Sequence, residues 1–171
     1  MAMLYYKYVN DLYSWGLTFT RQKEVIKDCI QDLFVWLLNN RDKLDEIDNV
    51  PVYLFTSFRN NLRGVLKESA VSVSDIGFKK GQPSGIMDHS LNILQKLEKD
   101  ELTYSRRKQI HRLLKGLSAK QKRIIYLRYY MKMDYGEICR ILCMNYQSAR
   151  TLIYRSIKKM REVYREVRLI E

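Results

Sequence analysis

The chain has 171 residues, of which 46% are hydrophobic, with two prolines and seven glycines. This is enough apolar material for a real core, and the few helix breakers point to a helical protein rather than a disordered one. The net charge of +12 is uneven: residues 1–100 hold 13 basic and 13 acidic side chains, while residues 101–171 hold 18 and 6. The whole excess lies in the C-terminal part, as expected for contact with a polyanion, most simply nucleic acid.

No window approaches eighteen unbroken apolar residues, so no membrane span is expected. The opening MAMLYYKYVN lacks a charged-then-apolar signal layout, and the protein is expected to be cytoplasmic. Cys29, Cys139 and Cys143 are too few and too oddly numbered for a disulfide framework. The only histidines, His89 and His111, have no metal-ligand spacing, so neither a metal nor a cofactor is expected.

The first sixty-eight residues read as helices. From Glu24 to Asn39 the apolar residues recur as Val25/Ile26, Cys29/Ile30, Leu33/Phe34 and Leu37/Leu38, a helical period with a broad apolar arc. The opposite arc carries Glu24, Asp28, Gln31, Asp32, Val35 and Asn39, and is acidic with an apolar spot in its middle. A further helix is predicted from about Pro51 to Lys67, with the proline in its first turn where it is tolerated. In its stretch Tyr53–Lys67, aromatic and basic residues interleave without an acid. Residues 69–89, SAVSVSDIGFKKGQPSGIMDH, gather three glycines, a proline and four serines, the composition of a linker between two domains.

Helical periodicity returns at Leu91. Ser118-Ala-Lys-Gln121 and Asp134-Tyr-Gly-Glu137 are capping boxes, and Asn145 suits the N-cap of a last helix. The predicted helices run about 119–131, 135–143 and 146–163. Two short helices with a tight turn suggest a helix-turn-helix. In the last helix, Ala149, Leu152, Ile153, Ser156, Ile157 and Met160 form the inner face. The outer face holds Gln147, Arg150, Thr151, Tyr154, Arg155 and Lys158 and no acid. Arginine and glutamine pair with base edges, whereas lysine and threonine suit phosphates. Gln147, Ser148, Arg150 and Thr151 are the expected base readers, with Arg155 and Lys158 as phosphate contacts.

The run LSAKQKRIIYLRYYMKMDYGEICRILCMNYQSARTLIYRSIKKMRE resembles region 4 of the extracytoplasmic-function (ECF, group IV) sigma factors of bacterial RNA polymerase. The matching positions are Leu117-Ser118, then Tyr135, Glu137, Ile138 and Cys139, then Ser156, Ile157, Met160 and Arg161. The N-terminal part is similar to region 2 of that family at Leu12, Tyr13, Asp28, Gln31, Phe34 and Leu37, and at Tyr53, Leu54 and Asn60 or Asn61. The resemblance spans nearly the whole chain. It departs at Cys139, often alanine in the family, and at Cys143, often glycine. A cysteine at a left-handed turn position costs about a kcal/mol or more. Either the turn differs here, or its backbone is strained.

The resemblance implies an all-α protein of two small helical domains. Region 2 would span residues 1–68, a flexible linker 69–90, and region 4 residues 91–171. It implies a sigma factor, not an enzyme, that binds core RNA polymerase and directs promoter-specific initiation, with an anti-sigma factor as a further partner. The polymerase contact would fall on Asp28, Gln31, Asp32 and Val35. The minus-ten strand would meet Arg59, Asn60, Asn61, Arg63 and Lys67. The minus-thirty-five duplex would meet Gln147, Ser148, Arg150, Thr151, Tyr154, Arg155 and Lys158. The alternative is a helix-turn-helix regulator without a sigma role. A DNA-processing enzyme would need clustered carboxylates or a nucleophile with its base, which the basic half lacks.

Overall fold

The computed structural model describes residues 2–44, 46–72 and 109–168. Every described regular element is helical, and no strand occurs among the described residues. The all-α expectation therefore holds. The chain divides into two compact units, Met1–Pro83 and Ser84–Glu171.

The first unit holds α1 (Ala2–Gly16), α2 (Lys23–Asn39) and α3 (Val50–Ser72), with a short 3-10 turn at Arg41–Leu44. All three pairs of these helices pack together. The apolar period of α2 places Ile26, Cys29, Ile30, Leu33, Phe34 and Leu37 in the core. Its arc is broader than the core needs, so Leu38 stays exposed. From α3, Leu54, Phe55, Phe58 and Leu62 are fully buried. Trp15 of α1 meets Phe55 edge-on at 5.1 Å, and Phe19 at 4.9 Å. Such rings supply large buried area plus edge-to-face attraction.

The start of α3 follows from a cap the pattern did not reveal. The Asn49 side chain accepts from the Val52 N–H at 3.0 Å, and Pro51 sits in the first turn where no amide donor is required. Helix α3 continues through Ser72, so the first four residues of the expected linker, 69–72, are helical. The rest of that linker lies outside the described residues, as do 91–108 of the expected C-terminal domain.

The described part of the second unit opens with helical residues 109–115, α4. It continues with α5 (Ala119–Ile125), α6 (Tyr135–Leu142) and α7 (Tyr146–Arg168). Helix α7 packs on both α5 and α6. Both predicted capping boxes form. Ser118 Oγ accepts from the Gln121 N–H at 3.3 Å, and Gln121 Oε1 from the Ser118 N–H at 2.9 Å. Asp134 and Glu137 exchange the same pair of bonds at 2.7 Å each. Asn145 Oδ1 caps α7 by accepting from the Ser148 N–H at 2.7 Å.

Helix α5 does not run on regularly to 131. It widens into a π-helical turn over Tyr126–Tyr130, where the Met131 N–H donates to the Tyr126 carbonyl five residues back at 3.0 Å. Lys132 then takes a left-handed φ of 56°, which lets the Met133 N–H reach the Leu127 carbonyl at 3.0 Å. This arrangement buries Leu127 and Met133 on the side of Ile124, Ile138 and Ile141.

The turn between α6 and α7 settles the choice left by Cys143. Its φ of 49° and ψ of 58° are left-handed, and its N–H donates to the Cys139 carbonyl. The turn thus keeps the geometry that favours glycine, and a cysteine tolerates it at a cost. Cys143→Gly is expected to raise stability by about 0.5–1 kcal/mol, since the relieved strain exceeds the added unfolded-state freedom. Urea unfolding followed by far-ultraviolet circular dichroism would check this; a lower midpoint would mean that the Cys143 side chain contributes more than its strain costs.

Candidate nucleic-acid interface

On α7 the inner face is buried as expected. Ala149, Ile153 and Ser156 are buried, and Leu152, Ile157 and Met160 are half-buried. Ser156 is accommodated because its hydroxyl donates to the Leu152 carbonyl at 2.7 Å. The outer face is free for a ligand. Gln147, Ser148, Arg150, Tyr154, Arg155 and Lys158 are exposed, and Thr151 is half-buried.

The structure divides this face in a way the sequence pattern did not. Gln147, Ser148, Thr151 and Arg155 line a groove of about 270 Å³, together with Lys120 of α5 and the apolar Met144 and Leu152. The groove brings together two cations, two hydroxyls and an amide, with no acid. Arg150 and Tyr154 do not line it. Lys120 was missed because it belongs to another helix. Its signal was indirect: it stands two residues after the cap Ser118, and only the packing of α5 on α7 brings it to the outer face of α7.

A second cation of α5, Lys122, is buried, and burial pushes its ammonium below the usual lysine value. It is therefore a poor candidate for the same face. Cysteine chemistry is equally disfavoured. Burial first, then neighbouring carboxylates, push the thiols of Cys29 and Cys139 up and away from the thiolate. Among the described residues, no three His, Cys, Asp or Glu side chains gather as a metal site.

In the first unit, α2 exposes Asp28, Gln31, Asp32 and Val35 together. Glu24, also on the acidic arc, pairs with Lys27 at 2.9 Å, so the unpaired negative character centres on Asp28 and Asp32. Trp36 and Leu38 extend the apolar spot; they are 41% and 42% exposed. Trp36 lies near Tyr53 of α3, their ring centroids 6.1 Å apart. The sequence had marked only Val35 there, because Leu38 was counted with the core.

On α3, Asn60, Arg63 and Lys67 are exposed along one face, and Asn61 is half-buried. Arg59 is a correction: it is only 6% exposed, so it faces the unit's interior instead of a strand in solvent. In the helical register it lies about 40° from Phe55, at the edge of the buried side. Phe55 and Phe58 are both core residues.

Residues 107–160 match the family model of Sigma-70, region 4. The helix-turn-helix is therefore of the sigma-70 region 4 type. Among solved structures, the chain is similar to the sigma factor RpoE from Bartonella quintana, determined in complex with the anti-sigma factor NepR. Identity is 16%, 96% of each chain is covered, and the TM-score is 0.64. At that identity the likeness shows a shared fold. No curated protein matches by sequence.

Proposed function

We propose that the chain is an ECF (group IV) sigma factor that joins core RNA polymerase and directs it to promoters, without catalysing a reaction itself. The observation that carries this reading is the acid-free outer face of α7 within a helix-turn-helix of the region 4 type. In this reading α7 enters the minus-thirty-five major groove, with its N-terminal residues nearest the bases. Gln147, Ser148, Arg150 and Thr151 read base edges, Arg155 and Lys158 hold phosphates, and Tyr154 contacts the duplex beside them.

The first unit takes the role of region 2. Asp28, Gln31 and Asp32, around the apolar Val35, suit a partner helix rich in arginine, which makes this face the polymerase contact. Asn60, Asn61, Arg63 and Lys67 hold the melted minus-ten strand by base-edge hydrogen bonds and backbone cations. Two modest DNA-binding modules on one chain gain from effective concentration, so neither needs high affinity alone. An anti-sigma factor is the expected regulator, since the similar RpoE was solved with NepR. No described helix is long and apolar enough to cross a membrane, which suits action on cytoplasmic polymerase.

Run-off transcription with purified core polymerase tests the proposal. Discrete new transcripts are expected from promoter DNA of the source genome, and Asp28→Ala/Gln31→Ala/Asp32→Ala should reduce them at least tenfold while leaving duplex binding by α7 unchanged. Duplex binding with no effect on initiation would instead identify a helix-turn-helix regulator.

A further inference from the structure

Given the reading of α7 as a DNA-recognition helix, on which this inference rests, we propose that Tyr146 is a direct DNA contact. Its phenol donates to a backbone phosphate at the wall of the major groove, and Tyr135 and Arg128 are positioning residues that hold its ring for that contact.

Tyr146 is the first residue of α7 and is 56% exposed. An exposed tyrosine at a helix start is ordinarily free to swing. Here its ring lies against that of Tyr135, with centroids 5.2 Å apart and planes inclined by 50°. Tyr135 is the first residue of α6, and its ring also carries the Arg128 guanidinium, 4.9 Å from the centroid. Arg128 is fixed in turn, donating from Nη1 to the Met133 carbonyl at 2.8 Å. Three linked contacts thus run from the π-helical turn after α5 to the start of the recognition helix.

The stack holds the ring and leaves its tip unused. The Tyr146 hydroxyl has no hydrogen-bond partner among the described residues. A ring held in one place and an available polar tip make a pre-organised contact, because little rotamer freedom remains to be lost on binding.

Direction identifies the ligand atom. Successive residues of an α-helix are about 100° apart around its axis. Gln147 and Thr151 lie near the centre of the outer face; Tyr146 lies roughly 100° from Gln147, in register with the inner-face Ile153 and Ile157, and reaches solvent because it stands at the open N-terminal end of α7, on the side of Arg150. When a helix lies in the major groove, its outer centre meets base edges and its flanks meet the groove walls, where the phosphates are. Arg150, one turn on, is exposed on the same flank and supplies a cation beside the phenol.

The experiment uses the full chain and a labelled duplex that it selects from a randomised pool, titrated by fluorescence anisotropy at several salt concentrations. Tyr146→Phe keeps the ring and its stack, so the thermal midpoint should not move. Affinity should fall about tenfold, as for loss of a hydrogen bond to a charged group. The loss should be uniform across related sequences. The slope of log affinity against log salt should not change, because a phenol releases no counterion.

Arg128→Gln should also weaken binding at unchanged slope, and should add little in the Tyr146→Phe background, since both changes disable one contact. Wild-type affinity for Tyr146→Phe would overturn the proposal and leave the DNA-binding reading standing. A loss confined to one base pair would overturn the phosphate assignment. A slope reduced by about 0.9 in Arg128→Gln would make Arg128 a phosphate contact in its own right and end its positioning role. If the wild-type chain selects no duplex, the reading of α7 and the inference fall together.

Discussion

Gly16→Ala is expected to destabilise the first unit by about 1–3 kcal/mol, the cost typical of overpacking a core. A β-carbon at Gly16 would stand 2.7 Å from Ile26 Cγ2 and 3.0 Å from Phe58 Cζ. Both neighbours are fully buried, so neither can move aside without disturbing α2 or α3. The gain in helix propensity, about 1 kcal/mol, does not offset a clash of that depth. Gly64 provides the control. It is exposed on α3 and a β-carbon there would meet nothing within 4 Å, so Gly64→Ala should stabilise by about 0.5–1 kcal/mol. The same substitution should thus act with opposite sign at two helical glycines. The two tryptophans, Trp15 and Trp36, both lie in the first unit, so their fluorescence during urea unfolding isolates it from the second. Equal shifts for the two variants would mean that helix propensity, not close packing, governs Gly16.

Much of this could be read from the chain because the signals were local. A capping box is complete within four residues, so Ser118/Gln121 and Asp134/Glu137 were visible before any packing was known. The α2 period and the acid-free face of α7 are similarly written at three- and four-residue spacing. What escaped depends on contacts distant in sequence, or on competition between local preferences. The π-helical turn at Tyr126–Tyr130 lets Leu127 and Met133 be buried together, which no periodic pattern encodes. Arg59 looked available because it is charged, but its register on α3 follows Phe55, Phe58 and Leu62 to the inside. Lys120 and Tyr146 were overlooked for a related reason. One joins the outer face of α7 from another helix, and the other is held at the start of α7 by an aromatic contact with α6. The turn at Cys143 was half legible, since the resemblance implied a left-handed residue there while the side chain argued against one.

Under the proposed reading, Lys120→Ala and Arg155→Ala should each flatten the salt dependence of duplex binding by about 0.9, the value for one lost phosphate neutralisation. Gln147→Ala should behave differently. It removes a neutral side chain that can pair with a base edge, so it should cost about 1–3 kcal/mol at one preferred base pair and leave the slope intact. The three residues line the same groove, which makes the contrast informative. A groove that merely attracts polyanions would lose slope with either cation and show no sequence dependence at Gln147. A recognition helix seated in the major groove must show both behaviours, because one wall of the groove presents phosphates while its floor presents bases. Lys120 is the sharper case of the two cations. Nothing in its own helix marks it for DNA, and an unchanged slope in Lys120→Ala would mean that the duplex lies along α7 without reaching α5. The unchanged slope would leave Arg155 and Lys158, both on α7, as the phosphate contacts.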